Sequence, residues 1–242
     1  MALTVKKEIV GENEGFSLQP DLLREIFYYA KPYGHHEDAK SLNLGFGFLY
    51  YGLVRSLRPQ HTLVIGSGYG FSVVCFALGI KDNGKGNLSF IDPSYSLLKN
   101  GPFKTIGGRG FWDNAQEVKA HFRRFDVDHI VRHYKMRSDE FFPLFEVMEL
   151  PPIDLAFIDG NHSYKDVKYD FIKVLERSKR NSYILLHDSN IYIREMLQHS
   201  GVKKWLSTIK AYKEFFEVID FPFASGVALV RVRKANAWKQ VF

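Results

Sequence analysis

The chain has 242 residues and a formal net charge of +6 at pH 7, and its composition is ordinary for a globular protein. This length suits one α/β domain with additions and is sufficient for a full hydrophobic core. The single cysteine, Cys75, excludes an internal disulfide bond. No apolar stretch is long enough to span a bilayer, and the N-terminus lacks a signal-peptide pattern. We therefore expect a cytoplasmic protein in which Cys75 is buried.

The predicted elements begin after an irregular arm over residues 1–20, with helices expected at 21–30 and 42–57. From residue 61 onwards, apolar runs of strand length alternate with segments of helical length. This alternation predicts a mostly parallel sheet covered by helices on both faces. The strands are expected at 61–66, 87–92, 129–134, 153–158, 182–187, 214–219 and 226–233, and the helices at 69–80, 112–125, 138–148, 163–178 and 199–211.

The last two predicted strands, 214–219 and 226–233, are joined by a turn at 221–226 that contains proline and glycine. Such a pattern predicts a β-hairpin. We expect the final strand to run antiparallel and to insert beside 182–187. The predicted sheet then has seven strands, of which six are parallel.

A glycine-rich turn between the first strand of this series and its helix is the most informative local pattern. Gly66, Gly68 and Gly70 alternate with Ser67 and Tyr69. A turn of this kind lets a ligand lie against bare backbone, and the helix that follows offers unpaired N–H groups to it. The sequence therefore predicts a ligand-binding turn at the start of the helix.

Polar side chains follow several of the predicted strands. Asp92 ends the second strand, where a nucleotide-binding fold places a carboxylate that accepts hydrogen bonds from two ribose hydroxyls. Asp159, His187 and Asp188 end two later strands, and His162 lies three residues beyond Asp159. Ligands of parallel sheets bind outside the carboxyl ends of the strands, so these groups are expected to converge on one crevice.

Together these residues resemble the class I S-adenosylmethionine-dependent methyltransferases. The resemblance covers roughly residues 42–233, with 1–41 as an N-terminal arm and helix and 234–242 as a C-terminal tail. It is closest to the small-molecule O-methyltransferase branch. The most specific match is Ile-Asp-Gly-Asn-His-Ser-Tyr at 158–164, followed by His-Asp at 187–188. The resemblance implies a Rossmann-like α/β fold with a terminal antiparallel hairpin.

The resemblance also implies which residues bind S-adenosylmethionine. The glycine turn, from Gly66 to Gly70, would hold the methionine end and Asp92 the ribose. Ser138 and Asp139 take the positions that contact the adenine in catechol-type relatives. The alternative for Ser138 is simple N-capping of the segment that follows it.

For catalysis, the resemblance implies methyl transfer to an oxygen of a small molecule, with His162 and Asp159 facing the acceptor. An imidazole that titrates near neutral pH could take the proton of the acceptor hydroxyl. Mg²⁺ is a candidate second cofactor, because Asp159 and Asp188 could share a hard cation. At the end of the fifth strand catechol-type relatives have an Asp-Asn or Asp-Asp pair, whereas this sequence has His-Asp-Ser-Asn at 187–190, so the third ligand would be His187, Asn190 or water. The alternatives are that His162 makes a helix-start hydrogen bond and that both aspartates cap helices.

Several features of the sequence leave other functions open. Val64 stands where the family commonly has an acidic residue, so the methionine ammonium would need Asn43, backbone carbonyls or Asp159. The rivals are an NAD(P)-dependent oxidoreductase, a non-catalytic binding protein on a degenerate methyltransferase fold, and a nucleic-acid methyltransferase. The spacing of the glycines and the hairpin argue against the first. We expect a small-molecule acceptor, with no nucleic-acid or membrane partner, and leave open whether the chain forms homo-oligomers.

Two further segments have uncertain roles at this stage. The glycine-rich loop at 107–112 is flexible and aromatic in character, so it is either a substrate lid or a plain surface loop. His35 and His36 have no ligand partners at a useful spacing and are expected to be solvated.

Overall fold

A computed structural model describes residues 16–94, 98–100, 103–105, 110–190, 201–234, 236 and 239. The helices, in chain order, are α1 Pro20–Glu25, α2 Phe46–Leu57, α3 Phe71–Asn83, α4 Ala115–Arg123, α5 Ser138–Phe141, α6 Tyr164–Glu176 and α7 Gly201–Ala211. The strands are β1 His61–Ile65, β2 Asn87–Ile91, β3 Leu98–Asn100, β4 Phe103–Thr105, β5 Val131–Tyr134, β6 Ile153–Ile158, β7 Ser178–His187, β8 Phe216–Phe221 and β9 Val227–Val232.

The main sheet has seven strands in the order β5-β2-β1-β6-β7-β9-β8. Strands β5, β2, β1, β6 and β7 pair in parallel, whereas β9 pairs antiparallel with both β7 and β8. The predicted hairpin and its insertion beside β7 are therefore confirmed. β1 lies in the middle of the sheet, and all five of its residues are buried. Its unbroken apolar character is what a strand covered on both faces requires.

Helices cover both faces of the sheet and form a hydrophobic core on each. On one face, α2, α3 and α4 pack against the sheet, and the predicted buried Cys75 lies in this core. Ile26 and Ala30, from the predicted N-terminal segment, are fully buried in the same core. On the other face, α6 and α7 contribute Phe171 and Trp205. No helix among the described residues is long and apolar enough to cross a membrane.

The structure corrects several predicted boundaries. The helix predicted at 21–30 ends as a π-helical turn, Ile26–Ala30. The helix predicted from 42 begins only at Phe46, because the backbones of Asp38 and Asn43 pair in an isolated bridge. The segment predicted as a helix at 138–148 has only a short α-helix followed by the 3₁₀ turn Phe142–Leu144. Local pattern alone does not separate a single helical turn from a longer helix.

The segment after β2 contains a short antiparallel ribbon that the sequence analysis did not predict. β3 and β4 pair with each other in a separate two-stranded sheet. Residues 107–109 of the predicted lid lie outside the described residues. Trp112, at the end of that predicted lid, is only 1% exposed and belongs to the core. The lid interpretation is therefore wrong for Trp112.

Candidate active site

The glycine turn brings the ends of β1 and β6 into contact. Gly66 has a φ of 74°, and a Cβ atom there would lie 2.5 Å from the carbonyl oxygen of Asp159. Only glycine therefore allows the two loops to approach this closely. The backbone N–H of Asp159 donates to the carbonyl of Ile65 at 2.8 Å. Because of this approach, Asp159 lies beside the predicted cofactor turn.

The side chain of Trp112 contacts the rest of the turn and stabilises it. The indole Nε1 of Trp112 donates to the carbonyl oxygen of Gly68 at 3.1 Å. Gly70 has a φ of 87° and precedes α3, and a Cβ atom there would lie 2.9 Å from the Trp112 ring. At Gly68 a Cβ atom would meet nothing within 4 Å. The backbone of Gly68 is therefore open on the side where a ligand would lie.

Asp92 lies just beyond β2, as predicted, and its side chain is buried. Its Oδ1 accepts a hydrogen bond from the backbone N–H of Ser94 at 2.8 Å. Burial outweighs the backbone hydrogen bonds from Ser94 and Ser67 and raises the pKa of Asp92 to about 6. No positive side chain is among the groups that shift this pKa. Hydroxyl donors on a ligand would stabilise the ionised form.

A cavity of about 910 Å³ opens at the carboxyl ends of the strands. This volume lies at the upper end of the range for small-molecule and cofactor sites. The cavity joins the glycine turn and Asp92 to the ends of β5 and β6 and to the inner face of α6. Its lining includes most of the predicted site residues, namely Gly66, Ser67, Gly68, Asp92, Ser138, Asp139 and Asp159.

The predicted adenine contacts lie at the end of the cavity next to α5. Ser138 is half-buried, whereas Asp139 is exposed and is held by Arg137 in a two-pronged ion pair with N–O distances of 2.7 and 2.8 Å. Arg137 lowers the pKa of Asp139 through this pair. Tyr69, the remaining residue of the predicted turn, is half-buried beside Phe111, with 5.4 Å between the ring centroids.

The other predicted groups meet in one compact assembly, which we call the histidine cluster: Asp159, His162, His187 and Asp188. Nδ1 of His162 lies 2.5 Å from Oδ2 of Asp188, and its Nε2 lies 3.4 Å from Oδ1 of Asp159. Nδ1 of His187 lies 2.9 Å from Oδ1 of Asp159, without the alignment of a directed hydrogen bond. Each carboxylate thus contacts both imidazoles.

The charges within the histidine cluster stabilise one another. Burial alone would lower the pKa of His162, but Asp188 and Asp159 outweigh it and raise the pKa to about 10. His187 and His162 outweigh the effect of burial on Asp159 and lower its pKa. The same balance raises the pKa of His187 and lowers that of Asp188. His162 is therefore protonated at neutral pH and carries a positive charge between two negative ones.

The sequence analysis missed a second layer of residues behind His187. The prediction that His35 is solvated is wrong: it is 5% exposed, and its ring centroid lies 4.5 Å from that of His187. Nδ1 of His35 lies 3.0 Å from the hydroxyl of Tyr50. Burial and the proximity of His187 lower the pKa of His35 to about 3, so this ring is neutral. His36, by contrast, is exposed as expected.

Ser225 fixes the remaining nitrogen of His187. Its hydroxyl donates to the carbonyl oxygen of Gly34 at 2.7 Å and lies 3.1 Å from Nε2 of His187. Because the serine proton is used on Gly34, the imidazole must donate to the serine oxygen. No local sequence pattern marks this contact, because Gly34, His187 and Ser225 come from three distant segments.

The metal prediction was tested against this arrangement. Mg²⁺ requires near-ideal octahedral coordination by oxygen atoms. The imidazole of His162 contacts both Asp159 and Asp188 and supplies a positive charge between them. Within the described ranges, no group of three or more acidic, histidine or cysteine side chains is arranged to hold a metal ion. The residues therefore do not fit Mg²⁺ in this arrangement.

The position of Val64 also has a structural consequence. Val64 is fully buried within β1, so it offers nothing to a methionine ammonium. Asn43, one suggested replacement, is exposed and accepts a hydrogen bond from the N–H of Gly45 at 2.8 Å. Asp159 is the suggested carboxylate that does line the cavity.

Comparison with known proteins identifies the family. Residues 63–189, more than half of the chain, match the family described as a methyltransferase domain. The chain belongs to this family. The glycine turn and Asp92 both lie within the matched residues.

Individual relatives of this methyltransferase are distant. It is 25% identical over 199 residues to the uncharacterized protein y4gI of Sinorhizobium fredii, an alignment that covers 81% of this chain. The chain spans about a fifth (20%) of the length of that curated relative.

Solved structures with the same fold include two O-methyltransferases. TomG from Streptomyces achromogenes, which acts in tomaymycin synthesis and was solved with S-adenosylmethionine, has a TM-score of 0.63 and 17% identity, covering 93% of this chain and 92% of TomG. An O-methyltransferase from Bacillus cereus, solved with S-adenosylhomocysteine, has a TM-score of 0.60 and 15% identity, covering 88% and 90%. At these low sequence identities, the similarity shows that the fold is shared and no more.

Proposed function

We propose that this methyltransferase transfers the methyl group of S-adenosylmethionine to an oxygen atom of a small-molecule acceptor. The observation that carries the proposal is a cavity lined by the glycine turn, Asp92 and Asp159, with the two histidines of the histidine cluster in contact with Asp159. One end offers open backbone and a buried carboxyl group to a nucleoside. The other end reaches Asp159, where we propose that the histidine cluster faces a reacting hydroxyl. The O-methyltransferases with this fold support the choice of acceptor atom.

The lining of the cavity supports the proposed cofactor contacts. The turn from Gly66 to Gly70 would hold the methionine portion against its backbone, and Asp92 would accept hydrogen bonds from the ribose hydroxyls. Ser138 and Asp139 would lie along the adenine. With Val64 buried, Asp159 is the proposed partner of the methionine ammonium.

The reaction is a displacement in which the acceptor oxygen attacks the methyl carbon while the carbon–sulfur bond breaks. The sulfonium already activates the methyl group, so the protein has to align the reactants and remove the hydroxyl proton. We propose that unprotonated His162 takes the single proton of the acceptor hydroxyl and that Asp159, 3.4 Å from Nε2 of His162, stabilises the imidazolium that forms. Asp188, 2.5 Å from Nδ1 of His162, would hold the ring with Nε2 toward the acceptor.

A pH profile tests the role of His162. Because Asp188 and Asp159 raise its pKa to about 10, the unprotonated form grows as pH rises, and kcat should increase with pH up to that value. Asp188→Asn removes the nearest negative charge, lowers the pKa of His162 and should shift the profile toward neutral pH. A profile that is flat from pH 6 to 10 in both proteins would contradict a base role for His162.

We infer that the reaction does not depend on Mg²⁺ held by Asp159 and Asp188, because His162 bridges these carboxylates. Methyl transfer should persist in EDTA, and added Mg²⁺ should not increase it. His162→Ala removes the bridging cation and should abolish the activity under both conditions. Loss of wild-type activity in EDTA, with recovery on adding Mg²⁺, would show that the metal displaces His162.

Calorimetric titration with S-adenosylhomocysteine and with NADH tests the cofactor. We expect the first to bind and the second not to bind. Asp92→Ala should weaken binding of S-adenosylhomocysteine by about 1.5–3 kcal/mol, the scale for hydrogen bonds to a charged group. Tight binding of NADH alone would favour the oxidoreductase. A non-catalytic binding protein would bind S-adenosylhomocysteine but would yield no methyl ether from hydroxyl-bearing acceptors.

A further inference from the structure

His187 belongs to the histidine cluster, but the reaction described above gives it no step. Its side chain is buried, with 5% of the residue exposed. Its Nδ1 atom lies 2.9 Å from Oδ1 of Asp159 and 3.2 Å from Oδ1 of Asp188, so one ring nitrogen faces both carboxylates. This nitrogen therefore lies between the two groups that were predicted to share a divalent cation.

The neighbours of the ring give His187 a proton on each nitrogen. Ser225 uses its own proton on the carbonyl oxygen of Gly34, so Nε2 of His187, 3.1 Å from the serine oxygen, is the donor there. At Nδ1 the neighbours are two carboxylates, which accept hydrogen bonds and, when ionised, donate none. Both carboxylates would repel a bare nitrogen lone pair at this position. The ring is therefore an imidazolium, a cation that the protein itself supplies.

Packing from distant segments holds this imidazolium in place. The ring of His35 lies against it, with 4.5 Å between the ring centroids. A Cβ atom on Gly34 would lie 3.8 Å from Cε1 of His187, so the backbone of the N-terminal segment packs against the edge of the ring. The hairpin turn is attached to the same region, because the backbone N–H of Asn190 donates to the carbonyl of Ser225 at 2.9 Å. Moving the ring away from the carboxylates would require these segments to separate.

A divalent cation shared by the two carboxylates would need the position that the ring occupies. Mg²⁺ binds its oxygen ligands at about 2.0–2.1 Å, so an ion between the carboxylates of Asp159 and Asp188 would have to displace Nδ1 of His187. Its double positive charge would also lie against the charge of the imidazolium. The ring therefore opposes a metal ion both by its volume and by its charge.

We propose that the His187 imidazolium is the resident cation of the acceptor site and keeps divalent metal ions off Asp159 and Asp188. The inference deepens the proposed function and rests on it for the identity of the acceptor site. In that reaction His162 acts as the unprotonated base, and His187 is then the positive charge that remains in contact with both carboxylates. The residue at position 187 thus decides whether this site contains an imidazolium or a metal ion.

Replacing the imidazolium by a carboxylate tests the proposal. The probe is Mn²⁺, which prefers the same oxygen ligands as Mg²⁺ and is detected by electron paramagnetic resonance. His187→Asp removes the positive charge and adds a third carboxylate, so it should bind Mn²⁺ at least about 10-fold more tightly than wild type, and added Mn²⁺ should raise its melting temperature. His187→Asn removes only the charge and should show a smaller gain in affinity. It also tests the proposal if His187→Asp does not fold.

His36→Asp is the matched control, because it makes the same substitution at an exposed histidine outside the cluster, and its affinity for Mn²⁺ should equal that of wild type. The proposal is overturned if wild type binds Mn²⁺ as tightly as His187→Asp does, or binds one equivalent of Zn²⁺ that His187→Asn does not bind. It is also overturned if neither His187 variant differs from wild type, or if His36→Asp shows the same gain. These titrations need neither cofactor nor acceptor. Failure of wild type to bind S-adenosylhomocysteine would instead reject the proposed function.

Discussion

The nucleoside end of the cavity and the histidine cluster contain buried acids in opposite electrostatic states. At the nucleoside end, burial raises the pKa of Asp92 to about 6 and that of Asp170 to about 7. In the histidine cluster, His162 and His187 lower the pKa values of Asp159 and Asp188 despite burial. Among the described residues, countercharges shift the pKa values of the acids in the histidine cluster but not those of Asp92 and Asp170.

This difference indicates what each end still requires. The histidine cluster has its own compensating charges, so it is stable before any ligand binds. Asp92 accepts a hydrogen bond from the backbone N–H of Ser94, but no cation is among the groups that shift its pKa, so donors on a ligand would stabilise its ionised form. A site whose groups are stabilised only when a ligand is bound strengthens binding but lowers the stability of the ligand-free protein.

The largest expected effect is on stability at the histidine cluster. Asp159→Asn removes a carboxylate that contacts both His162 and His187, and should lower the free energy of unfolding at pH 7 by about 3–5 kcal/mol, the cost of breaking a buried ion pair. Urea denaturation measures this change. Wild type should lose the same stabilisation as pH falls through the lowered pKa of Asp159. An unchanged unfolding midpoint would contradict mutual compensation in the cluster.

At the nucleoside end, replacing an aspartate by asparagine should raise the free energy of unfolding rather than lower it. The folded protein raises the pKa of Asp170 from 3.8 to about 7, so it binds the proton more tightly than the unfolded chain does. Stability therefore falls as pH rises between these values, by up to about 4 kcal/mol. Asp170→Asn, which has no such proton, should be more stable than wild type at pH 8 and equal to it near pH 4. A variant destabilised at every pH would show that Asp170 is compensated.

A smaller effect is expected from adding a side chain at Gly68, where the backbone of the glycine turn is open. Gly68 and Gly84 both have positive φ and both would place a Cβ atom in open space. Alanine should therefore lower the melting temperature similarly at both positions, through backbone strain of about 1–2 kcal/mol. Gly68→Ala should in addition weaken binding of S-adenosylhomocysteine by about 1–3 kcal/mol through overpacking, whereas Gly84→Ala should not. Equal affinity in the two variants would place the ligand away from Gly68.

The smallest expected effect concerns the hydrogen bond between Trp112 and the glycine turn. Trp112→Phe keeps an aromatic ring in the core but removes the N–H that donates to the carbonyl of Gly68. Affinity for S-adenosylhomocysteine should fall by about 0.5–1.5 kcal/mol, the net value of one hydrogen bond. Trp112 is not among the groups that shift the pKa of His162, so the pH profile of methyl transfer should keep its shape. A changed profile would indicate coupling between the two ends.

Much of the nucleoside end could be predicted from the sequence. The alternation of strands and helices, the glycine turn and the position of Asp92 are encoded over short stretches, because hydrophobic periodicity and glycine φ angles are local properties. The terminal hairpin was predicted for the same reason. The two-stranded ribbon of β3 and β4 and the π-helical turn at Ile26–Ala30 were missed, because short, weakly periodic segments lack such a signal.

The tertiary structure alone decided how the ionisable groups are paired. The contact between Gly34 and Ser225 joins residues 191 positions apart, and it orients His187. Burial in the folded chain made His35 neutral and left Asp170 without a countercharge. The sequence by itself determined which residues end the strands of the sheet. Their charges depend on distances and desolvation that exist only after distant segments have packed together.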